Sequence, residues 1–151
     1  MRTAVPAGVV LLALALLPSC TGGGSTGTSP GNGLAQMPPE VHVLGATATP
    51  EGRHGAVLTF AAHNAGTDTD TLTGVECSCG GTATILQGGT APVDGIDIAP
   101  DENHLFGPHG DLVRLDDVAI PLKAGEFVSL TLTFTNAGEV RADAEITPAE
   151  G

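Results

Sequence analysis

The segment Phe127–Thr135, FVSLTLTFT, most narrows what this chain can fold into. Val128, Leu130, Leu132 and Phe134 alternate without a break against Ser129, Thr131, Thr133 and Thr135. A period of two over nine residues is the pattern of a strand with one buried and one wet face, and it is incompatible with a helix. Asn136-Ala137-Gly138 is a turn signal, and Glu139–Ile146 returns with Val140, Ala142, Ala144 and Ile146 on one face. The two runs read as a hairpin.

The rest of the chain repeats this grammar less cleanly. Strands are expected over Val41–Thr49, Ala56–Ala62, Thr71–Cys79, Thr82–Leu86, Ile96–Ile98 and Asp111–Val118. Turns are expected at Pro50–Gly52, Asn64–Asp70, Gly88–Pro92 and Pro121–Gly125. Leu58, Phe60 and Ala62 share a face in the second of these strands. With no window of long helical amphipathicity, the expected fold class is all-β, a cupredoxin-like or immunoglobulin-like antiparallel β-sandwich. Its interior must be aliphatic, because the chain has four Phe and neither Trp nor Tyr.

The N-terminus reads differently. Met1-Arg2 is a minimal basic start, and Val9–Leu17 is an apolar run too short to span a bilayer as a helix. Leu17-Pro18-Ser19-Cys20 resembles a bacterial lipobox, with Pro at a position where Ala or Ser is more usual. That resemblance implies a signal peptide over residues 1–19, cleaved before Cys20, and Cys20 linked to diacylglycerol and often acylated on its amine. Two or more acyl chains anchor durably where one does not. The expected location is the cell membrane, lipid-anchored and facing the extracytoplasmic side. Residues 20–39 are rich in Gly, Ser, Thr and Pro and read as a flexible tether; residues 40–148 read as the folded domain.

Charge excludes one class of partner. The formal charge is −12, and loss of Arg2 with the signal would leave four basic residues against 17 acidic ones. With no basic stripe, no nucleic-acid partner is expected. Enzymatic signatures are missing as well, with no G-x-S-x-G and no H-E-x-x-H. The expectation is therefore a non-catalytic protein.

Three stretches carry a family resemblance: Leu58–Val75 (LTFAAHNAGTDTDTLTGV), Phe106–Leu122 (FGPHGDLVRLDDVAIPL) and Leu122–Val140 (LKAGEFVSLTLTFTNAGEV). They resemble the periplasmic copper chaperone family PCu(A)C, including its Asn-x-Gly loop followed by Asp, Leu and Val, here Asn64, Gly66, Asp70, Leu72 and Val75. The resemblance implies a cupredoxin-like sandwich and Cu(I) bound by His and Met. Registering on Pro108, Gly110, Pro121 and Leu122 puts two of those ligand positions on Leu112 and Arg114, and the span from Cys79 to Pro92 contains neither His nor Met. Leu and Arg cannot supply the thioether and imidazole donors that select Cu(I).

Other donors exist. Cys77 and Cys79 share a face if the strand is flat, and the register implied by the resemblance brings His104 and His109 near its metal edge. These four residues form a tentative metal set, for which copper(I) is the possible cofactor. The alternatives for Cys77 and Cys79 are a disulfide or free thiols; a flat strand would separate their Cα atoms by about 6.5–7 Å, near the limit for a bridge, and Gly80-Gly81 could supply a relieving turn. His42, His54 and His63 read as surface or loop residues, and Asp116-Asp117 as a solvated edge. Two functions follow: an envelope interaction module meeting another envelope protein, or a copper-binding chaperone using Cys and His and passing the ion to a copper acceptor. Replacing Cys20 with Ser should move the protein from the membrane fraction to the soluble fraction. Fractionation with immunodetection checks this, and retention of Cys20→Ser in the membrane would contradict the anchor.

Overall fold

The computed structural model describes residues 40–149. Ten strands follow one another: β1 (Val41–Glu51), β2 (Gly55–Asn64), β3 (Asp70–Cys77), β4 (Thr82–Gln87), β5 (Ala91–Pro92), β6 (Ile96–Ile98), β7 (Asn103–Phe106), β8 (Leu112–Asp116), β9 (Phe127–Phe134) and β10 (Gly138–Ile146). They join in the order β5-β4-β8-β2-β1-β10-β9-β3-β6, with β7 continuing along β2 beyond β8. The sheet curls on itself as a cupredoxin-like sandwich. Its pairings are antiparallel except between β1 and β10, which run parallel through Glu145–Thr47 and Ile146–Ala48.

The alternating segment forms the predicted hairpin, with Phe127 opposite Glu145 and Phe134 opposite Gly138. Val128, Leu130, Leu132 and Phe134 are buried, together with Leu58, Phe60, Ala62, Leu72, Val75, Val113, Leu115 and Ile146. Three of the four phenylalanines lie in this core, and Phe60 stacks on Phe106 with ring centroids 4.6 Å apart. The fourth, Phe127, stands 65% exposed at the start of β9.

Several expected boundaries move for local reasons. Strand β1 runs through Pro50 to Glu51, so the turn falls at 52–54. A bulge between Leu44 and Thr47 inserts one residue, with Gly45 at φ +62°. It shifts the alternation by one, so Leu44 before it and Thr47 after it both face outward. The segment 103–106, to which the sequence pattern assigns no strand, is β7. Ala91-Pro92, expected in a turn, pairs as β5 with Leu86 and Gln87.

Among the described residues two polar side chains are buried, and both belong to the Asn-x-Gly-Asp stretch. Asn64 Nδ2 donates to the carbonyls of Asp68 at 2.8 Å and Ile98 at 3.0 Å, and Oδ1 accepts from Gly66 N at 2.9 Å. Its backbone N–H donates to Glu102 O, and its carbonyl accepts from Asp101 N. Asp70 Oδ1 accepts from the N–H groups of Thr71 and Asn136, and Oδ2 from Ala137, each at 2.8 Å. Asn64 thus ties the 65–70 loop and the 98–102 segment to the end of β2, while Asp70 seats the β9–β10 turn. Removing Asn64's amide would leave two carbonyls and one N–H without partners, each costing about 1–3 kcal/mol when buried. Asn64→Ala should therefore destabilise the domain by about 2–4 kcal/mol, read as a lower urea midpoint. An unchanged midpoint would contradict the role given to this side chain.

Candidate functional site

Four places bear on function: the β4–β8 edge, the cysteine turn, the His104 cluster and the outer face of β1, β2 and β7. On the β4–β8 edge, Leu86 lies opposite Leu112 and Thr84 opposite Arg114. Leu86 and Leu112 are buried. Arg114 is exposed, and its Nε lies 3.5 Å from Asp116 Oδ2. The two positions at which the resemblance implies copper ligands are thus an aliphatic pair and a surface ion pair. Neither offers a soft donor.

Strand β3 ends at Cys77, and the chain turns through Ser78 and Cys79. Gly80 N donates to Cys77 O at 3.0 Å, closing the turn. The turn draws the Cα atoms to 5.1 Å, inside the usual range for a bridge, and Cys77 and Cys79 are joined as a disulfide. Gly81, at φ +88°, lies where an added Cβ would stand 2.4 Å from Asp116 O, so glycine is required for the turn to pass beneath 116–117. A disulfide carries no thiolate for a metal.

His104 lies on β7 opposite Ala62, half-buried, with its ring tilted against Phe106 at 4.8 Å. Its Nδ1 is 3.0 Å from Glu102 Oε1, and its Nε2 is 3.0 Å from Asp111 Oδ2. Ionised carboxylates only accept, so both contacts are hydrogen bonds when the ring is the doubly protonated imidazolium. The carboxylates reach further: Glu102 Oε2 accepts from Ala99 N, and Asp111 Oδ1 from Gly88 N. His104 therefore clamps three loops.

The tentative four-residue set is not assembled. Cys77 pairs with Leu130 on β9, and Cys79 O accepts from Ala119 N, whereas His104 is engaged with Glu102 and Asp111 beside β2. His109 is exposed in the turn 107–110. Among the described residues, no group of three or more His, Cys, Asp or Glu is arranged to hold a metal ion. Sequence reasoning had no access to the clamp, because the two acids flank His104 at separations of two and seven residues, a spacing that no motif records. The expected lipidation site Cys20, the expected signal and the expected tether lie outside the described residues.

The outer face of β1, β2 and β7 is the remaining feature. Leu44, Ala61 and Leu105 stand in one row across the three strands, with Leu44 56% and Leu105 68% exposed. A groove of about 420 Å³ adjoins the row, lined by Thr59, Leu105, Gly107, Pro108, His109 and Gly110.

Hydrogen bonds from His104 and from the Ala99 N–H, with the charge of His104, hold the Glu102 carboxyl below its ordinary value of 4.5. A depressed carboxylate contributes stability above its unfolded value, and this is lost as pH falls through the folded one. Thermal unfolding should therefore show a stability loss below about pH 4.5 that Glu102→Gln reduces. Identical pH profiles for the two proteins would contradict the clamp.

The fold agrees with those of known proteins. The chain superposes on the copper-bound PCuAC domain from PmoF2 with a TM-score of 0.67 at 24% identity, covering 74% of this chain and 96% of that one. The apo PCuAC domain from PmoF1 gives 0.60 at 29% identity, covering 72% and 94%. The Cu(I) form of DR1885 from Deinococcus radiodurans gives 0.62 at 23%, covering 78% and 85%. No functionally curated protein matches the sequence. Residues 40–146 match the family model described as putative lipoprotein LpqE-like, which takes in every strand described above. The chain belongs to the LpqE-like family of putative lipoproteins.

Proposed function

We propose that this protein is a non-catalytic, lipid-anchored envelope module that docks another envelope protein through the outer face of β1, β2 and β7. The carrying observation is the exposed row Leu44–Ala61–Leu105 with its adjoining groove. Apolar side chains in a row on a strand face are suited to partner contact, because their burial is favourable only when something covers them. The strongly negative charge points to a partner with a basic rim around an apolar projection. Acyl chains on Cys20 would keep the domain at the extracytoplasmic surface of the cell membrane, where such a partner resides.

A second reading rests on the likeness to a PCuAC domain whose solved form is copper-bound. In it, reduction frees Cys77 and Cys79 to bind copper(I), with His104 and His109 as further donors, and the ion passes to a copper acceptor. It requires opening the disulfide and the His104 clamp, so the interaction module is preferred.

Crosslinking in intact cells, followed by purification, tests the module. Leu44→Asp and Leu105→Asp should each lose crosslinked partners without a change in urea midpoint, because both side chains are already exposed. The same set of partners from the wild type and both variants would overturn the reading. Loss of capture on mild reduction with added copper, and not in the Asp variants, would favour the copper reading.

A further inference from the structure

His42 reads from the sequence as a strand-surface residue and His63 as a residue leading into the Asn-x-Gly loop; the register sets them directly opposite each other on β1 and β2. Both belong to the outward face, His42 exposed and His63 half-buried. Opposite residues on an antiparallel pair hold their Cβ atoms about 4.5–5.5 Å apart, a spacing from which two imidazoles can reach one ion. His104, by contrast, has both ring nitrogens engaged by carboxylates. Among the described residues, no hydrogen bond or ion pair engages the rings of His42 and His63.

We propose that His42 and His63 form a two-imidazole site for a divalent transition metal, Cu2+ by preference, with water completing the coordination. Imidazole suits copper, nickel and zinc, and nitrogen sites rank Cu2+ above Ni2+ and Zn2+. The backbone beneath the pair is fixed in advance. Next to His63 is Asn64, with its five hydrogen bonds, and next to His42 is Val41, which pairs with Asn64 and is buried. Ligands carried on such strands lose little freedom when the ion binds. The row continues to Asn103, opposite His63 on β7, whose amide oxygen suits a metal-bound water. The net negative charge raises the local concentration of cations. This site is distinct from the β4–β8 edge and from Cys77, Cys79, His104 and His109, and it does not rest on the docking reading.

The test is a CuCl2 titration of the mature chain, residues 20–151 with Cys20→Ser, followed by proton NMR at near-neutral pH. Paramagnetic broadening should reach the ring signals of His42 and His63 first, saturating at one equivalent. Either His42→Ala or His63→Ala should weaken binding about ten-fold or more, since each removes one of only two protein donors. His109→Ala should leave the affinity unchanged, and Ni2+ and Zn2+ should bind more weakly. Equal affinity in the wild type and both Ala variants, or no saturable binding, would overturn the proposal.

Discussion

Asn64 and Asp70 hold together the end of the sandwich at which four segments meet. A β-sheet supplies its own hydrogen bonds along each strand, but the chain leaving a strand must satisfy its polar groups elsewhere. Asn64 does this for the loop that follows β2 and for the 98–102 segment. Asp70 does it for the turn between β9 and β10. With those connections seated, β2 can carry β1 on one side and β8 then β7 on the other, and the aliphatic faces close over Phe60, Phe106 and Phe134. The outer row and the histidine pair inherit their spacing from this arrangement.

What was legible in advance follows from which interactions are local. The β9–β10 hairpin could be read because its alternation and its Asn-Ala-Gly turn lie in one stretch. Strand β7 could not, since four residues with two polar members lack any pattern until β2 pairs with them. The bulge at Gly45 was hidden for a similar reason: it shifts the alternation by one residue and leaves the composition unchanged. Asn64 and Asp70 were visible as a family-like motif, but their structural task emerged only from partners such as Ile98 and Ala137, 34 and 67 residues away. The His42–His63 pair is invisible in sequence because register, not spacing, creates it.

The relation to the PCuAC fold is one of kept scaffold and changed surface chemistry. Where the resemblance implies soft donors, Leu86 packs opposite Leu112, and Arg114 pairs with Asp116. The thiols that could have compensated are tied to each other in the turn after β3. His104 is held between Glu102 and Asp111, where it joins loops. Cys77, Cys79 and His104 thus each have another physical task, while His109 stands exposed in the turn 107–110. Leu44, Leu105, His42 and His63 stand on the outer face of β1, β2 and β7.

The central claim is that the described residues supply no soft donor set for Cu(I) while Cys77 and Cys79 remain bridged. It is tested most directly by anaerobic Cu(I) titration of non-reduced residues 20–151, carrying Cys20→Ser, against a chromogenic chelator of sub-micromolar affinity. The account predicts that the chelator retains the metal throughout. Stoichiometric withdrawal of copper by the protein would contradict it.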